Sequence, residues 1–224
     1  MIALAGFRLV AYVRSHRVYQ ALLLTLALLA IVHGSRAPRG AEATVLVDGA
    51  VLLVPILAWA ARSLLDTEPD RQREMSAIQA GGRGREVAAG LLAAFTACAV
   101  FAALGLLWAL LLGITGSPPS GLLLAALALY VLSALAGTAL GALTSRAVLP
   151  SPAISIMSLL LGFLGMLLLS STSLYWLTVP LIPWMKAANS GTGELLGAFP
   201  GLAAISLAWC LIGLAAYGRL RRRS

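Results

Sequence analysis

Charged residues are scarce in this sequence of 224 residues, at 11% of the total, whereas hydrophobic residues make up 60%. An ordinary soluble domain carries roughly one-quarter charged residues, so the composition excludes the usual soluble enzyme or binding module. Apolar runs of the roughly 20 residues that a helix needs to cross the hydrocarbon layer recur along the chain. The sequence therefore predicts an integral membrane protein with an all-α fold and a single membrane domain, residues 1–224.

Histidine and cysteine are also rare, with two residues of each. Cys98 and Cys210 lie inside predicted spans without metal-ligand spacing, so we expect buried thiols and no disulfide. His16 and His33 lie at the ends of apolar runs, where a polar boundary residue is a simpler interpretation than a catalytic base. The sequence also lacks the motifs of serine hydrolases, zinc peptidases and phosphate-binding loops. We therefore predict a chain that is not an enzyme, has no metal or cofactor of its own and does not hydrolyse ATP.

Six apolar segments are predicted as transmembrane helices: residues 18–32, 43–65, 86–114, 121–144, 153–170 and 195–217. Residues 1–17 precede them with apolar residues at helical spacing set against Arg8, Arg14 and Arg17, which predicts a helix lying in the membrane interface. Residues 171–194 combine prolines with aromatic residues typical of the membrane boundary. We expect this segment to form an extracytoplasmic re-entrant or surface hairpin before the last span.

The basic residues are distributed unevenly between the two ends of these spans. With six spans, thirteen of the sixteen Lys and Arg residues fall on the side of the termini, and Arg36, Arg39 and Lys186 fall on the other. The positive-inside rule then places both termini in the cytoplasm of a multi-pass protein of the cell membrane. The same rule explains the net charge of +8 without nucleic acid as a partner.

Small residues at a spacing of four lie in the fourth predicted span. Gly137 and Gly141 have the spacing that lets two helix backbones approach closely in a membrane. This pattern favours packing inside the chain, and a dimer seam is the alternative.

The outer half of the protein has three candidate residues for a substrate path or an outer gate. Asp48 is the carboxylate that lies inside a predicted span, where burying a charge is costly and therefore often functional. Interfacial solvation or an ion pair with Arg36 or Arg39 is the alternative for Asp48. Trp176 and Trp184 in the predicted hairpin are the other two candidates.

The long polar run of the chain is LDTEPDRQREMSAIQAGGRGRE, residues 65–86, which holds five of the eight acidic residues. A segment this charged cannot lie in lipid, so it projects into water between the second and third spans. Pro69 suits the first turn of a helix. Asp66, Glu68 and Asp70 place negative charge at the N-terminal end of that helix, where its dipole favours anions.

A short helix over residues 71–79 follows from this pattern. Met75 and Ile78 are three positions apart and therefore lie on one face of the helix. Gly81 and Gly82 are expected to end the helix and to reverse the chain into the third span. The alternative is a solvated loop without a partner.

This layout resembles the membrane subunit of an ABC-2 type exporter, and the resemblance covers essentially the whole chain. The shared pattern is an amphipathic N-terminal helix, six spans with both ends inside, a charged segment between spans two and three, and a proline and aromatic hairpin. Its most specific part is Glu68-Pro69, the helix at 71–79 and the GGRGR run, where many members of the family have a proline-containing stretch. A weaker resemblance, to the membrane subunit of the haem exporter of cytochrome c maturation, rests on similar length and span number.

In that family the corresponding segment is similar to a coupling helix that binds in a groove of a separately encoded ATPase. The resemblance implies a permease subunit that pairs with a second copy or a paralogous permease and binds two ABC ATPase subunits. It implies outward transport of a hydrophobic or amphipathic substrate through the lipid membrane, with ATP and Mg²⁺ bound by the ATPase. The residues to which it assigns ATPase coupling are Glu68, Pro69, Arg71, Glu74, Met75, Ile78, Gly81, Gly82, Arg83 and Arg85.

Two other functions are compatible with the same topology. A membrane scaffold or assembly protein would use the polar segment to recruit a cytosolic partner that is not an ATPase. A secondary transporter is disfavoured, because the sequence has one carboxylate inside a span and no evident inverted repeat.

Overall fold

A computed structural model describes residues 1–223, apart from the side chains of residues 70, 71, 222 and 223. Over this range the chain forms helices and turns without a strand. The α-helices are α1 (Ile2–Arg14), α2 (Arg17–Val32), α3 (Glu42–Leu65), α4 (Asp70–Gln79), α5 (Arg83–Trp108), α6 (Ser120–Leu143), α7 (Pro152–Ser170), α8 (Leu181–Asn189) and α9 (Thr192–Arg223). A π-helical turn, Ala109–Gly113, extends α5, and a 3-10 turn, Tyr175–Leu177, precedes α8.

Five of these helices are long and apolar enough to cross a membrane: α3, α5 with its π-helical turn, α6, α7 and α9. The pair α1 and α2 would make a sixth span, although the two helices meet at an angle of 75°. The predicted spans end within three residues of the helices, except that α9 runs on to Arg223. The prediction of an all-helical multi-pass membrane protein is therefore confirmed at this level.

Helix α3 lies at the centre of the bundle, where it packs against α2, α5, α6, α7 and α8. Its largest contact is with α6, and small residues make that contact close. A Cβ atom at Gly137 would lie 2.5 Å from the Cβ of Leu57, and one at Gly141 would lie 2.4 Å from the carbonyl oxygen of Ala58. The small-residue spacing of α6 therefore serves packing inside the chain, as predicted.

Helix α1 lies against α5 with its buried positions Ala5, Arg8 and Tyr12. Ile2, Phe7, Val10 and Val13 point away from the bundle, with Ile2 82% exposed, whereas Leu9 packs against the core. The turn into α2 is made at His16, a non-glycine residue with φ of 60°, in the left-handed region. This packing brings the guanidinium group of Arg8 to the end of the bundle where α3 ends and α5 begins.

Candidate functional site

The polar segment 65–86 contains helix α4, whose bounds are Asp70–Gln79. The prediction of a short helix over residues 71–79 is confirmed to within one residue. Pro69 is the N-cap, with φ of −62° and ψ of 152°, so it directly precedes the helix instead of lying in its first turn. Its extended backbone directs the chain from the end of α3 into α4.

Two glycines end α4 and start the next span. The N–H of Gly82 donates to the carbonyl oxygen of Ala77 at 2.8 Å, and the N–H of Gly81 donates to that of Ile78 at 3.1 Å. These two bonds form a Schellman motif, which requires a left-handed residue that glycine adopts without strain. Gly81 and Gly82 have φ of 77° and 130°, and α5 begins at Arg83, three residues before the predicted start of the third span.

Helix α4 has a buried polar face and an exposed face. On the buried face, Arg73 and Ser76 are each 8% exposed. The Arg73 guanidinium donates to a carbonyl oxygen at the end of α3, and the Ser76 hydroxyl donates to Oε1 of Glu68 at 2.6 Å. On the other face, Met75 and Ile78 are 60% and 81% exposed. The helix is thus held from behind while its apolar pair points away from the protein.

Four charged side chains meet behind α4, and we call Arg8, Glu68, Glu86 and Arg221 the ionic cluster. Nη2 of Arg8 contacts the Glu68 carboxylate and lies 2.5 Å from Oε1 of Glu86. Nη2 of Arg221 lies 3.2 Å from Oε2 of Glu86. Exposure of the side chains is between 5% and 16%. Two arginines and two glutamates pair here, as burial of ionised groups requires, and they join α1, the segment just before α4, α5 and α9.

A glycine on α5 makes room for this cluster. Nη1 of Arg8 donates to the carbonyl oxygen of Glu86 at 3.0 Å, and a Cβ atom at Gly90 would lie only 2.5 Å from that nitrogen. A side chain at position 90 would therefore displace the guanidinium group. The sequence pattern grouped Arg8 with Arg14 and Arg17 on the polar side of an interfacial helix, whereas the structure buries Arg8 against α5.

A second polar cluster lies where α3 ends. Nε of Arg62 donates to Oγ of Ser155 at 2.5 Å, and Nη2 of Arg62 lies 3.7 Å from Oδ2 of Asp66. The backbone N–H of Arg146 donates to Oδ1 of Asp66 at 2.9 Å. Burial raises the pKa of the Asp66 carboxyl, against the hydrogen bond from Arg146 and the charge of Arg62. These contacts fix the end of α3 to α7 and to the loop between α6 and α7.

The other residues of the predicted coupling set lie around α4. Glu74, Arg83 and Arg85 are exposed. The Arg85 guanidinium folds back over the glycine turn, since its Nη1 lies 2.9 Å from where a Cβ atom of Gly81 would be. Arg71 belongs to α4, but its side chain lies outside the described part of the chain.

The three candidate residues for the substrate path lie at the opposite end of the bundle. Asp48 is half-buried on α3, and its Oδ1 is buried with no hydrogen-bond partner in the described residues. Arg36 and Arg39 are exposed, and neither forms an ion pair with Asp48 in the described part of the chain. Trp176 is 59% exposed, whereas Trp184 is only 1% exposed. A substrate-path role for Asp48 and a gate role for Trp176 stay predictions.

Trp184 holds α8 against α9. Its ring packs edge-on against Phe199 at a centroid distance of 5.1 Å. Its indole N–H donates to Oγ of Ser206 at 3.3 Å. The indole therefore contributes to packing of the segment 171–194, which folds as a 3-10 turn followed by α8.

His33, at the end of α2, lies between glycines of two other elements. Its Nδ1 is 2.8 Å from where a Cβ atom of Gly113 would be, and its Nε2 is 3.4 Å from the corresponding point at Gly49. The hydroxyl of Tyr130 lies 2.6 Å from that same point at Gly49. Burial lowers the pKa of the His33 imidazole, so the ring packs there in its neutral form.

The candidate functional site is α4 together with the two polar clusters behind it. Among the described residues, no group of three or more His, Cys, Asp and Glu side chains could hold a metal ion. Cys98 and Cys210 are buried free thiols, as predicted.

No protein-family model matches the chain, and no match is found among curated proteins or solved structures.

Proposed function

We propose that this chain is the permease subunit of an ABC-2 type exporter and that α4 is its coupling helix, bound by a separate ATPase subunit. The observation that carries the proposal is the exposure of Met75 and Ile78 on a helix whose opposite face is fixed by buried hydrogen bonds and ion pairs. An apolar pair in water gains free energy when a partner covers it. Because α4 is fixed to the rest of the bundle, a partner that binds this pair and moves would also move the spans.

The charge distribution supports the orientation that this function needs. Helix α4 lies at the end of the bundle that carries thirteen of the sixteen Lys and Arg residues, which the positive-inside rule assigns to the cytoplasm. Both termini are then cytoplasmic, and the segment 171–194 is an outer hairpin. The outward-pointing apolar side chains of α1 support a position of this helix in the membrane interface.

In this proposal the contacts behind α4 transmit motion of the ATPase to the spans. A displacement of α4 would reach α5 through the glycine turn, because only Ala80, Gly81 and Gly82 separate the two helices. It would also reach α1 and α9 through the ionic cluster. In this proposal two permease chains and two ATPase subunits form the exporter, ATP and Mg²⁺ bind to the ATPase, and the substrate is hydrophobic or amphipathic.

The proposal predicts that a phosphate-loop ATPase is encoded next to this chain, and co-purification of the two proteins tests it. We expect a complex, and we expect the double variant Met75→Asp, Ile78→Asp to bind roughly 100-fold more weakly or worse, because two carboxylates enter an apolar contact. The control variant is Ser35→Asp, Ser117→Asp, which adds the same charges on exposed loops at the other end of the bundle. Equal ATPase binding by both variants, or no binding by the unaltered chain, would contradict the proposal.

Formation of a complex does not by itself show that this chain affects ATP hydrolysis, so the ATPase activity is measured as well. When the two proteins are reconstituted together, the unaltered chain and the Ser35, Ser117 variant should change the ATPase rate, and the Met75, Ile78 variant should not. A complex that forms without any effect on ATP hydrolysis would favour a scaffold over an exporter.

A further inference from the structure

A cleft of about 290 Å³ opens beside α4, at the end of the bundle that holds the ionic cluster. Its charged lining residues are Arg73, Glu74, Arg83, Glu86, Arg146 and Arg221. Four positive and two negative groups leave a formal charge of +2, so we call it the basic cleft. Its volume is close to the lower end of the roughly 300–1,000 Å³ of small-molecule sites.

Part of the negative charge in the basic cleft is already engaged elsewhere. Glu86 shares its carboxylate between Arg8 and Arg221 in the ionic cluster. By contrast, Arg83 and Arg146 are exposed, and neither side chain forms an ion pair with an acidic residue in the described range. Glu74 also lines the cleft and the charge of Arg146 acts on Asp66, but the lining as a whole still carries an excess of positive charge.

The position of the cleft narrows the class of its ligand. Arg83 begins α5, Arg221 lies near the end of α9, and Arg146 lies in the loop after α6. The cleft is thus level with the ends of three helices that are long and apolar enough to span a membrane. Basic pockets between spans on the cytoplasmic side suit the headgroups of anionic lipids, and guanidinium groups bind phosphate through paired hydrogen bonds.

We infer that the basic cleft binds an anionic phosphate group, carried by a phospholipid headgroup or by a soluble phosphate compound. Arg83 and Arg146 contact the phosphate, and Arg73 and the paired Arg221 and Glu86 line the rest of the cleft. A phosphate held in this way connects the start of α5 to the loop between α6 and α7, next to α4. No part of this inference depends on an ATPase, so it stands or falls separately from the proposed function.

The experiment measures binding of dioctanoyl phosphatidylglycerol, dioctanoyl phosphatidylcholine and inorganic phosphate to the purified chain in detergent. Thermal unfolding with and without each compound reports binding, because a ligand of the folded state raises Tm. We expect phosphatidylglycerol to raise Tm and phosphatidylcholine, whose headgroup has no net charge, to do so much less. The double variant Arg83→Gln, Arg146→Gln should bind phosphatidylglycerol roughly 30-fold more weakly.

Two further variants separate loss of the site from loss of charge or of structure. Arg36→Gln, Arg39→Gln removes two exposed arginines from the other end of the bundle and should bind as the unaltered chain does. Arg83→Lys, Arg146→Lys keeps the charge and should recover part of the binding. All variants should have the Tm of the unaltered chain without ligand, since the four arginines are exposed.

The three compounds distinguish the two sources of phosphate. A response to phosphatidylglycerol alone identifies a lipid headgroup, and a comparable response to inorganic phosphate identifies a soluble compound. The inference is overturned if the glutamine variant of Arg83 and Arg146 binds as well as the unaltered chain. It is also overturned if phosphatidylcholine binds as well as phosphatidylglycerol, or if neither phosphatidylglycerol nor inorganic phosphate binds.

Discussion

Replacing Glu86 with glutamine would remove the carboxylate that both Arg8 and Arg221 contact, at 2.5 Å and 3.2 Å. The Glu86 side chain is 5% exposed, so water cannot solvate the guanidinium groups in its place. Breaking a buried ion pair by removing one partner costs about 3–5 kcal/mol. Glutamine keeps one acceptor oxygen, and we therefore expect a loss near the lower limit, about 3 kcal/mol. For a chain of this length the loss corresponds to a fall in Tm of roughly 6–12 °C.

A double-mutant cycle isolates the pair from the general effect of each substitution. The free energy of unfolding is measured in detergent for the unaltered chain, Glu86→Gln, Arg8→Gln and the double variant. Because the two groups are in contact, we expect a coupling energy of about 2 kcal/mol. The control cycle pairs Glu86→Gln with Arg14→Gln on the exposed side of α1 and should give a coupling near zero. A coupling energy for Arg8 and Glu86 no larger than that of the control would refute the buried ion pair.

Two other substitutions test the packing of the bundle. Gly141→Leu should lower the free energy of unfolding by about 3 kcal/mol, because a side chain there meets α3. The control Gly201→Leu should lower it far less, because no neighbour lies within 4 Å of the Cβ position of Gly201. Equal losses would argue against the close contact between α6 and α3. For His33, a lowered pKa in the folded state means that protonation favours unfolding, so its stabilising effect is present above about pH 6.5 and is lost as the pH falls below that value. Tm of the unaltered chain should therefore drop on acidification more than Tm of His33→Gln, and parallel pH curves would contradict a buried neutral ring.

The local features of α4 could be predicted because they depend on neighbouring residues. Pro69 precedes the first residue of α4, and Gly81 and Gly82 supply the left-handed backbone that ends it. Both ends of α4 are therefore set by residues within the segment itself. The long spans were predictable for a related reason, since an uninterrupted apolar run can end only where polar residues return. The positions of the long helices and of α4 thus follow from short stretches of chain.

The contacts behind α4 depend on residues that are distant in the sequence. Arg8 is 60 positions from Glu68 and 78 from Glu86, and no local pattern indicates which helices will bring these charges together. The two tryptophans of the segment 171–194 show the same limit. Trp176 and Trp184 match one membrane-boundary pattern, and only the packing of α8 against α9 decides that the second is buried.

The ionic cluster also has a consequence for the order in which the protein is made. Arg8 and Glu86 are synthesised early, whereas Arg221 follows Glu86 by 135 positions and enters with α9. A nascent chain that has inserted through α5 can join Arg8 to Glu86, but the cluster is completed only when α9 takes its place. Completion of the cluster is therefore a late event in biogenesis, and a chain truncated before α9 would be left without the charge balance that holds α1 and α4 in position.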